Sequence, residues 1–410
     1  MNRVVVTGAG VVSPVGIGAE AFFENLVKGV CGIAPITAFD TEGYKVKLAA
    51  EVKGFDPEAA GIDRAQSKRM DLYAQYAMAA AIQAVSMSGI EGQVAPERFG
   101  VYVGSGIGGI QTFTQETEKM LSRGPGRVSP FFVPMMIGNM AAGNIAIRFG
   151  AQGPCLPVVT ACATGTHAIG EAFHAIKYGL ADAIIAGGAE AAVTPLAVAG
   201  FTNMKALSES TDPNAASLPF DSRRGGFVIG EGSGIVVLEA YEHAMARGAH
   251  ILAEICGYGN TCDAYHITAP QAEGIGAANA IKLALDEANW RGEQLYINAH
   301  GTGTPMNDRV ETLAIKRALG EDAARAALIS STKSMTGHML GAAGGVEAIA
   351  CAMALEKGVV PPTIHLNSPD PECDLNYVPG AAVKADVEVA VSSSLGFGGH
   401  NAVIAMRKAR

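Results

Sequence analysis

The sequence predicts an α/β fold of two interlocked β/α repeats, and three observations carry that prediction. Short apolar runs alternate with longer amphipathic stretches, as in "ADAIIAGGAEAA" (181–192), "GSGIVVLEAYEHAMARG" (232–248) and "QLYINAHGTG" (294–303). The second half replays the first. No long Pro- or Ser-rich linker divides the 410 residues. Strands that are apolar on both faces fit parallel sheets covered on each side by helices.

Taken in order, "RVVVTGAG" (3–10) opens the first half as a buried strand, and "ILAEICGYGN" (251–260) is its counterpart. "GVYVGSGIGG" (100–109) is answered by "LYINAHGTGTP" (295–305), each a strand running into a glycine-rich bend. "VVTACATGTHAIGEAF" (158–173) is answered by "ISSTKSMTGHMLGAAGGVEAI" (329–349) as strand, bend and helix. "GSGIVVLEA" (232–240) and "HNAVIAMRK" (400–408) close the two halves. Equivalent bends of such a duplication converge on one shared site.

With 49% hydrophobic residues, 17% charged and 51 glycines, the chain has ample apolar material for a compact, turn-rich core. A formal charge of −9 argues against a nucleic-acid binder held by a basic face. Gly8, Gly10, Pro14 and Gly16 interrupt the apolar amino end, which reads as a buried strand and turn rather than a signal peptide. No apolar run approaches the roughly 20 residues of a membrane helix. Seven scattered cysteines without CxxC spacing fit a reducing, cytoplasmic compartment and no structural zinc.

Three bends carry polar chemistry. In the first, Val158, Val159 and Thr160 suit a strand, while Ile169, Phe173 and Ile176 form a helical apolar stripe that Gly179 ends. Cys162 falls at the join, near a helix N-terminus that favours a thiolate and lowers the thiol pKa from about 8.5. A small residue at a tight bend is the other reading of that stretch alone. In the second bend His300 follows the strand 295–299, and Asp308 with Glu311 has capping-box spacing at the start of the next helix. The third places Lys333 and His338 between a strand and a small-residue helix.

A thiolate can store an acyl group from a thioester. Two neutral imidazoles can donate to a carbonyl oxygen as it becomes an enolate, each such donor being worth ~10²–10³ in rate. Lys333 beside a carboxylate tunes the charge around them. The set suits carbon–carbon bond formation through a stabilised carbanion better than hydrolysis. "GSGIGG" fits a dinucleotide-binding fingerprint but has no acidic ribose ligand after a second strand, so its glycines read as close packing. His300 and His338 lack the spacing and third ligand of a metal site.

Together "VVVTGAGVVSPVG", "SPFFVPMMIGNMAAG", "TACATGTHAIG", "FDSRRGGFVIGEGSG", "DAYHITAP", "NAHGTGTPMND", "STKSMTGHMLGAAGGVE" and "LGFGGHNA" resemble the β-ketoacyl-[acyl-carrier-protein] synthases, the elongating condensing enzymes, end to end. The resemblance implies a thiolase-like, duplicated α-β-α-β-α five-layer core, with residues 1–250 carrying the cysteine and 251–410 both histidines. It implies a homodimer, an acyl carrier protein as partner, no cofactor beyond the pantetheine arm that partner carries, and no nucleic-acid or membrane partner. The family's triad falls on Cys162, His300 and His338, and its oxyanion hole on the N–H groups of Cys162 and Phe397. Phe397 matches a gating aromatic, and Lys333 pairs with Glu347 or Glu311 as support beside Asp308. His266, Thr268, Thr302 and Thr304 match the pantetheine channel. Ile107 and Phe201 match the acyl pocket, Ile107 facing that of the partner subunit. Arg64, Lys68, Arg69, Arg127 and Lys205 form a candidate docking patch for an acidic carrier.

Three positions depart from the family pattern: His400 stands where threonine is common, Leu395 where phenylalanine is common, and Gly303 where serine is usual. They bear on gating and substrate range rather than on reaction class. A type I or polyketide ketosynthase shares the chemistry, and a non-catalytic chain-length partner shares the fold. Retention of Cys162, His300, His338 and Lys333 speaks against the last. A thiolase would need a second catalytic cysteine late in the chain, and Cys373, in an acidic proline-bearing loop, is a poor substitute.

Overall fold

The computed structural model describes residues 1–409. Nine strands form one large sheet: β1 (Val4–Ser13), β2 (Phe99–Gly104), β3 (Ala183–Glu190), β4 (Gly232–Ala240), β5 (Ala253–Cys262), β6 (Leu295–Asn298), β7 (Leu328–Ser330), β8 (Val389–Gly396) and β9 (His400–Arg407). A tenth, Gly16–Ile17, folds back on β1. The order is β7-β6-β8-β9-β5-β1-β4-β3-β2. Read outward from the β1/β5 seam, where Val4 faces Ile255 and Val6 faces Ala253, the two arms repeat each other strand for strand, with β7 added at one edge.

The expectation of parallel sheets holds only in part. β2/β3, β6/β7 and β6/β8 are parallel, whereas β1/β4, β1/β5, β3/β4, β8/β9 and β5/β9 are antiparallel. Apolar runs on both faces report burial on both faces, and burial does not dictate strand direction.

Helices cover both faces, among them α1 (Leu72–Ser88), α2 (Thr164–Lys177), α3 (Ile275–Glu287) with α4 (Pro305–Leu319) packed on it, and α5 (Ala343–Lys357). Alternate residues of each strand point to opposite layers. Val101, Val103, Ile185, Ile235 and Val237 join Tyr73, Ala77, Ala80 and Ala84 of α1 in one outer core. Leu295, Ile297, Val403 and Ala405 join Ile281 and Leu285 of α3 in the other. Their neighbours Tyr102, Ile184, Val236, Tyr296 and Ile404 turn inward onto Ile169 and Phe173 of α2 and Ile349 and Met353 of α5. Helix, strand, helix, strand, helix is therefore the layer order. The sandwich is thiolase-like, although main-chain bonding runs unbroken through the β1/β5 seam.

The outer helices approach the sheet closely because the sequence places glycine opposite alanine. A Cβ on Gly10 would lie 1.9 Å from the Ala80 carbonyl oxygen, and one on Gly259 would lie 1.9 Å from that of Ala280. The same device recurs in both arms. The two inner helices also approach closely: a Cβ on Gly344 would sit 2.1 Å from Thr166 Oγ1 and 2.4 Å from the Thr166 nitrogen. Gly344→Ala must separate α2 from α5, and we expect a loss of ~1–3 kcal/mol from overpacking, read as a lower denaturant midpoint. An unchanged midpoint would show that the helices can separate without cost.

Candidate active site

Each candidate residue is placed by a bend at a strand end. Cys162 sits in a short 3₁₀ turn, Ala161–Ala163, directly ahead of α2. Ala161 has φ +50°, a left-handed conformation that costs of order 1 kcal/mol for a residue with a Cβ. The answering bend repeats this geometry: Leu340, at φ +48°, opens the turn Leu340–Ala342 ahead of α5. His338 lies just before it, held by its N–H on the Val228 carbonyl at 2.7 Å and by the Gly230 N–H on its own carbonyl at 2.9 Å.

His300 follows β6 in a loop tied to α4. Glu311 accepts the His300 N–H at 2.7 Å and the Gly301 N–H at 2.8 Å. Asp308 accepts the Phe220 N–H at 2.8 Å and the Gly303 N–H at 3.2 Å. Here the capping-box expectation fails. α4 begins at Pro305, so Asp308 and Glu311 lie inside the helix, and their buried carboxylates reach back to loop amides instead of capping its first turn. Gly303 takes φ +76°, which glycine adopts without strain.

The bends meet around a cavity of about 620 Å³ lined by Cys162, His300, His338 and Phe397. The imidazole rings of His300 and His338 are edge to face, 5.2 Å between centroids. His338 Nδ1 accepts the Leu340 N–H at 3.3 Å, which assigns its proton to Nε2. That Nε2 and His300 Nδ1 are buried without a protein hydrogen-bond partner, so the cavity holds unused polar capacity beside the sulfur. Burial, with the Lys333 charge adding to it, pushes both imidazoles well below the ordinary histidine range. They are neutral at neutral pH. Lys333 is itself buried and ion-paired with Glu347, which decides between the two carboxylates the sequence offered.

The thiol does not behave as its helix-end position suggested. Burial pushes Cys162 up to about 12, outweighing Lys333 and the N–H groups of Phe397 and Cys162 itself, which pull it down. Desolvation of the thiolate exceeds what a turn of 3₁₀ helix returns. The sign gives a test: with the pKa far above working pH, thiolate rises tenfold per pH unit. Iodoacetamide alkylation of Cys162 should therefore climb with a log slope of about 1 through pH 9. A plateau near pH 7 would contradict it.

Ile107, Phe201, Thr268, Thr302, Thr304, Lys205 and the variant Leu395 also line the cavity. His266 does not; it is exposed, and its Nδ1 accepts the Thr268 and Ala269 N–H groups at 3.1 Å, shaping the loop that carries Thr268. Phe201 meets Phe227 edge to face at 5.5 Å, and Phe227 meets His338 at 5.2 Å. Phe397 sits in the turn between β8 and β9, with Gly398 and Gly399 at φ +86° and +79°. His400 packs edge to face on His167, which is bonded to Thr160 Oγ1 at 2.8 Å and so stands behind the turn that carries Cys162. Arg64, Lys68, Arg69 and Arg127 are exposed outside the cavity, Arg69 over the Phe131 ring.

Sequence reasoning missed two residues. Arg224 donates to the Thr304 and Pro305 carbonyls at 3.2 and 2.9 Å and pairs with Asp370 at 2.5 Å, pinning the start of α4. Glu190 ends β3, lines the cavity and is fully buried. The "GSGIGG" loop turns its donors onto this carboxylate, so the anion it cradles is the protein's own. An acidic residue closing an otherwise apolar strand, as in "AIIAGGAE", was the available signal.

A duplicated five-layer fold with a buried cysteine facing two neutral imidazoles across one cavity defines a class, and comparison with known proteins names it. Residues 1–244 match the family described as Beta-ketoacyl synthase, N-terminal domain, and residues 252–367 match its C-terminal domain. The chain belongs to the β-ketoacyl synthase family. Among individual relatives, it is 52% identical over 409 residues to the 3-oxoacyl-[acyl-carrier-protein] synthase 2 of Staphylococcus aureus (strain COL), covering 99% of this chain and 98% of that one. It is 50% identical over 410 residues to the enzyme of the same name from Synechocystis, with the same coverage. Among solved structures, the ishigamide ketosynthase/chain length factor superposes with a TM-score of 0.93 at 38% identity. A Burkholderia phymatum beta-ketoacyl synthase does so at 0.92 and 35%; in both cases all of each chain is covered. Members of the family need no cofactor, because the carrier protein brings the phosphopantetheine arm.

Proposed function

We propose that this cavity performs the decarboxylative Claisen condensation of an acyl-enzyme with malonyl-acyl carrier protein, releasing CO2 and 3-oxoacyl-acyl carrier protein in fatty-acid elongation. One observation carries the assignment of roles: Cys162, His300, His338 and Phe397 line one cavity, and the Cys162 and Phe397 N–H groups stabilise negative charge on the sulfur. Cys162 gives up its proton and attacks the acyl thioester; the carrier thiol leaves with a proton, and the acyl group stays on sulfur. Those two N–H groups steady the tetrahedral oxyanion. Malonyl thioester then enters, and the imidazoles donate to its thioester carbonyl as the carboxyl–carbon bond breaks. The electron pair left by CO2 forms the enolate, which attacks the acyl-cysteine carbon and expels the Cys162 thiolate. Burial keeps both imidazoles neutral, and the charge of Lys333, paired with Glu347, adds to it.

The identity above 50% to 3-oxoacyl synthases favours fatty-acid elongation. A polyketide ketosynthase is the second reading, favoured by the likeness to a type II polyketide ketosynthase described in complex with its acyl-carrier protein, at a TM-score of 0.91 and 36% identity. Intact-mass analysis after acyl-carrier thioesters of graded length, then malonyl-carrier, separates them. One adduct on Cys162, discharged as a single two-carbon extension, supports elongation. Repeated extension without reduction supports the polyketide reading, and no adduct at any length would return Cys162 to a structural role.

We read the chain as two halves, 1–250 and 251–410, on the strength of the mirrored strand order. We also read it as a homodimer: Ile107 lines the cavity yet is 40% exposed, in company with exposed Phe113, Phe131 and Val133. Among the described residues no helix is long and apolar enough to cross a membrane, and seven free cysteines suit the cytoplasm. Arg64, Lys68, Arg69, Arg127 and Lys205 are assigned to docking an acidic carrier protein. Exchanging Lys68 and Arg69 for Glu should raise the KM for acyl-carrier about tenfold at low salt, and less at high salt, with kcat little changed. Unaltered kinetics would make the patch ordinary surface.

A further inference from the structure

We propose that Glu190 is a positioning residue that straps the acyl-pocket wall to the imidazole wall of the cavity, so that occupancy of one half-site is felt at the other. The inference rests on the assignment of function above and deepens it. Oε1 of Glu190 accepts from Ser105 Oγ at 2.7 Å and from the Ile107 N–H at 3.2 Å. Oε2 accepts from the Gly106 N–H at 2.9 Å and from the Gly341 N–H at 3.0 Å. Three donors thus belong to the loop that presents Ile107 to the acyl pocket. The fourth belongs to the turn Leu340–Ala342, whose Leu340 N–H holds His338 Nδ1. One fully buried side chain therefore joins both walls of the cavity that Cys162 also lines.

The contact is specific for a carboxylate. All four partners donate and three of them, the main-chain N–H groups, can only donate, so a glutamine would set its own N–H groups against at least one of them, and a shorter aspartate could not reach both loops. The two loops are also in direct main-chain contact with no room for a side chain between them: a Cβ on Gly341 would lie 2.4 Å from the Gly106 nitrogen and 2.9 Å from Glu190 Oε2. A movement of the Ile107 loop must therefore be followed by the Gly341 turn or break the strap. Burial pulls this carboxyl up to about 7 against its four donors, so it is held at a cost that packing alone does not require.

The test uses the full-length enzyme. Glu190→Gln, checked for folding by thermal denaturation, should flatten the ranking of acyl chain lengths in Cys162 acylation. In enzyme alkylated at Cys162 it should lower kcat for malonyl-carrier decarboxylation about tenfold, with KM little changed. Should the variant fail to fold, hydrogen exchange on the wild type replaces it: acylation by a long chain should change protection at 339–342 together with 105–109. A folded variant with the wild-type ranking and decarboxylation rate, or exchange changes confined to 105–109, would overturn the strap. Wild-type acylation and discharge are the control, because their absence would remove the assigned function and not the strap itself.

Discussion

Cys162→Ala yields a folded protein that forms no acyl-enzyme and no condensation product. The substitution removes one sulfur from a buried position and leaves the turn at Ala161–Ala163 free to form, so destabilisation should stay near 1 kcal/mol. Condensation has no second route, since the acyl group has nowhere else to wait. Decarboxylation of malonyl-carrier is different. It needs only the two imidazoles, and should persist within about tenfold of wild type. Intact mass and CO2 release measured on the same sample separate the two steps. Acylation at another residue would sink the assignment of Cys162, and loss of decarboxylation equal to loss of condensation would sink the division of labour between sulfur and imidazole.

Lys333→Met has the second-largest expected effect, and it acts twice. Glu347 loses its ion-pair partner in a fully buried site, and Glu347 Oε2 already has no protein partner. Breaking a buried pair from one side costs ~3–5 kcal/mol, because an uncompensated charge remains. Adding Glu347→Leu should recover most of that stability. It should not recover activity. The Lys333 charge is one cause of the depressed pKa of His300 and His338, so its removal lets both rise. Protonation of His338 at Nδ1 would break the Leu340 N–H bond, and the acid limb of the decarboxylation pH profile should move to higher pH. Equal stability of single and double variants, or an unmoved acid limb, would place Lys333 outside both roles.

Much of this was legible in the residues. Strands apolar on both faces announced a sheet covered twice, and the polar bends after "VVT", "LYINA" and "ISS" announced where side chains would converge. Strand direction was not legible, because alternation and apolarity are the same for a parallel and an antiparallel neighbour. The positions of Asp308 and Glu311 were misread for a related reason: D-x-x-E spacing is shared by a capping box and by one buried helix face, and Pro305 moved the helix start. Glu190 was passed over because its partners, a hydroxyl and three main-chain N–H groups, lie 83 to 85 and 151 residues away, which no local pattern records. The thiol's raised pKa was hidden because helix-end position is written in sequence, whereas depth of burial is a property of the whole fold.

The glycine contact between α2 and α5 bears on how one enzyme could serve many substrates. Where Gly344 meets the Thr166 nitrogen and Gly165 meets the Gly345 nitrogen and the Gly341 carbonyl oxygen, main-chain atoms help set the spacing of the sulfur turn from the imidazole turn. Peptide units have no rotamers to exchange. The reacting end of the chamber therefore acts as a fixed jig, holding every thioester carbonyl to one station regardless of the tail behind it. Variation in acyl length must be taken up further along, where Ile107 and Phe201 supply side chains that can turn. Selectivity can drift at that far end by single substitutions while the chemistry at the near end keeps its alignment.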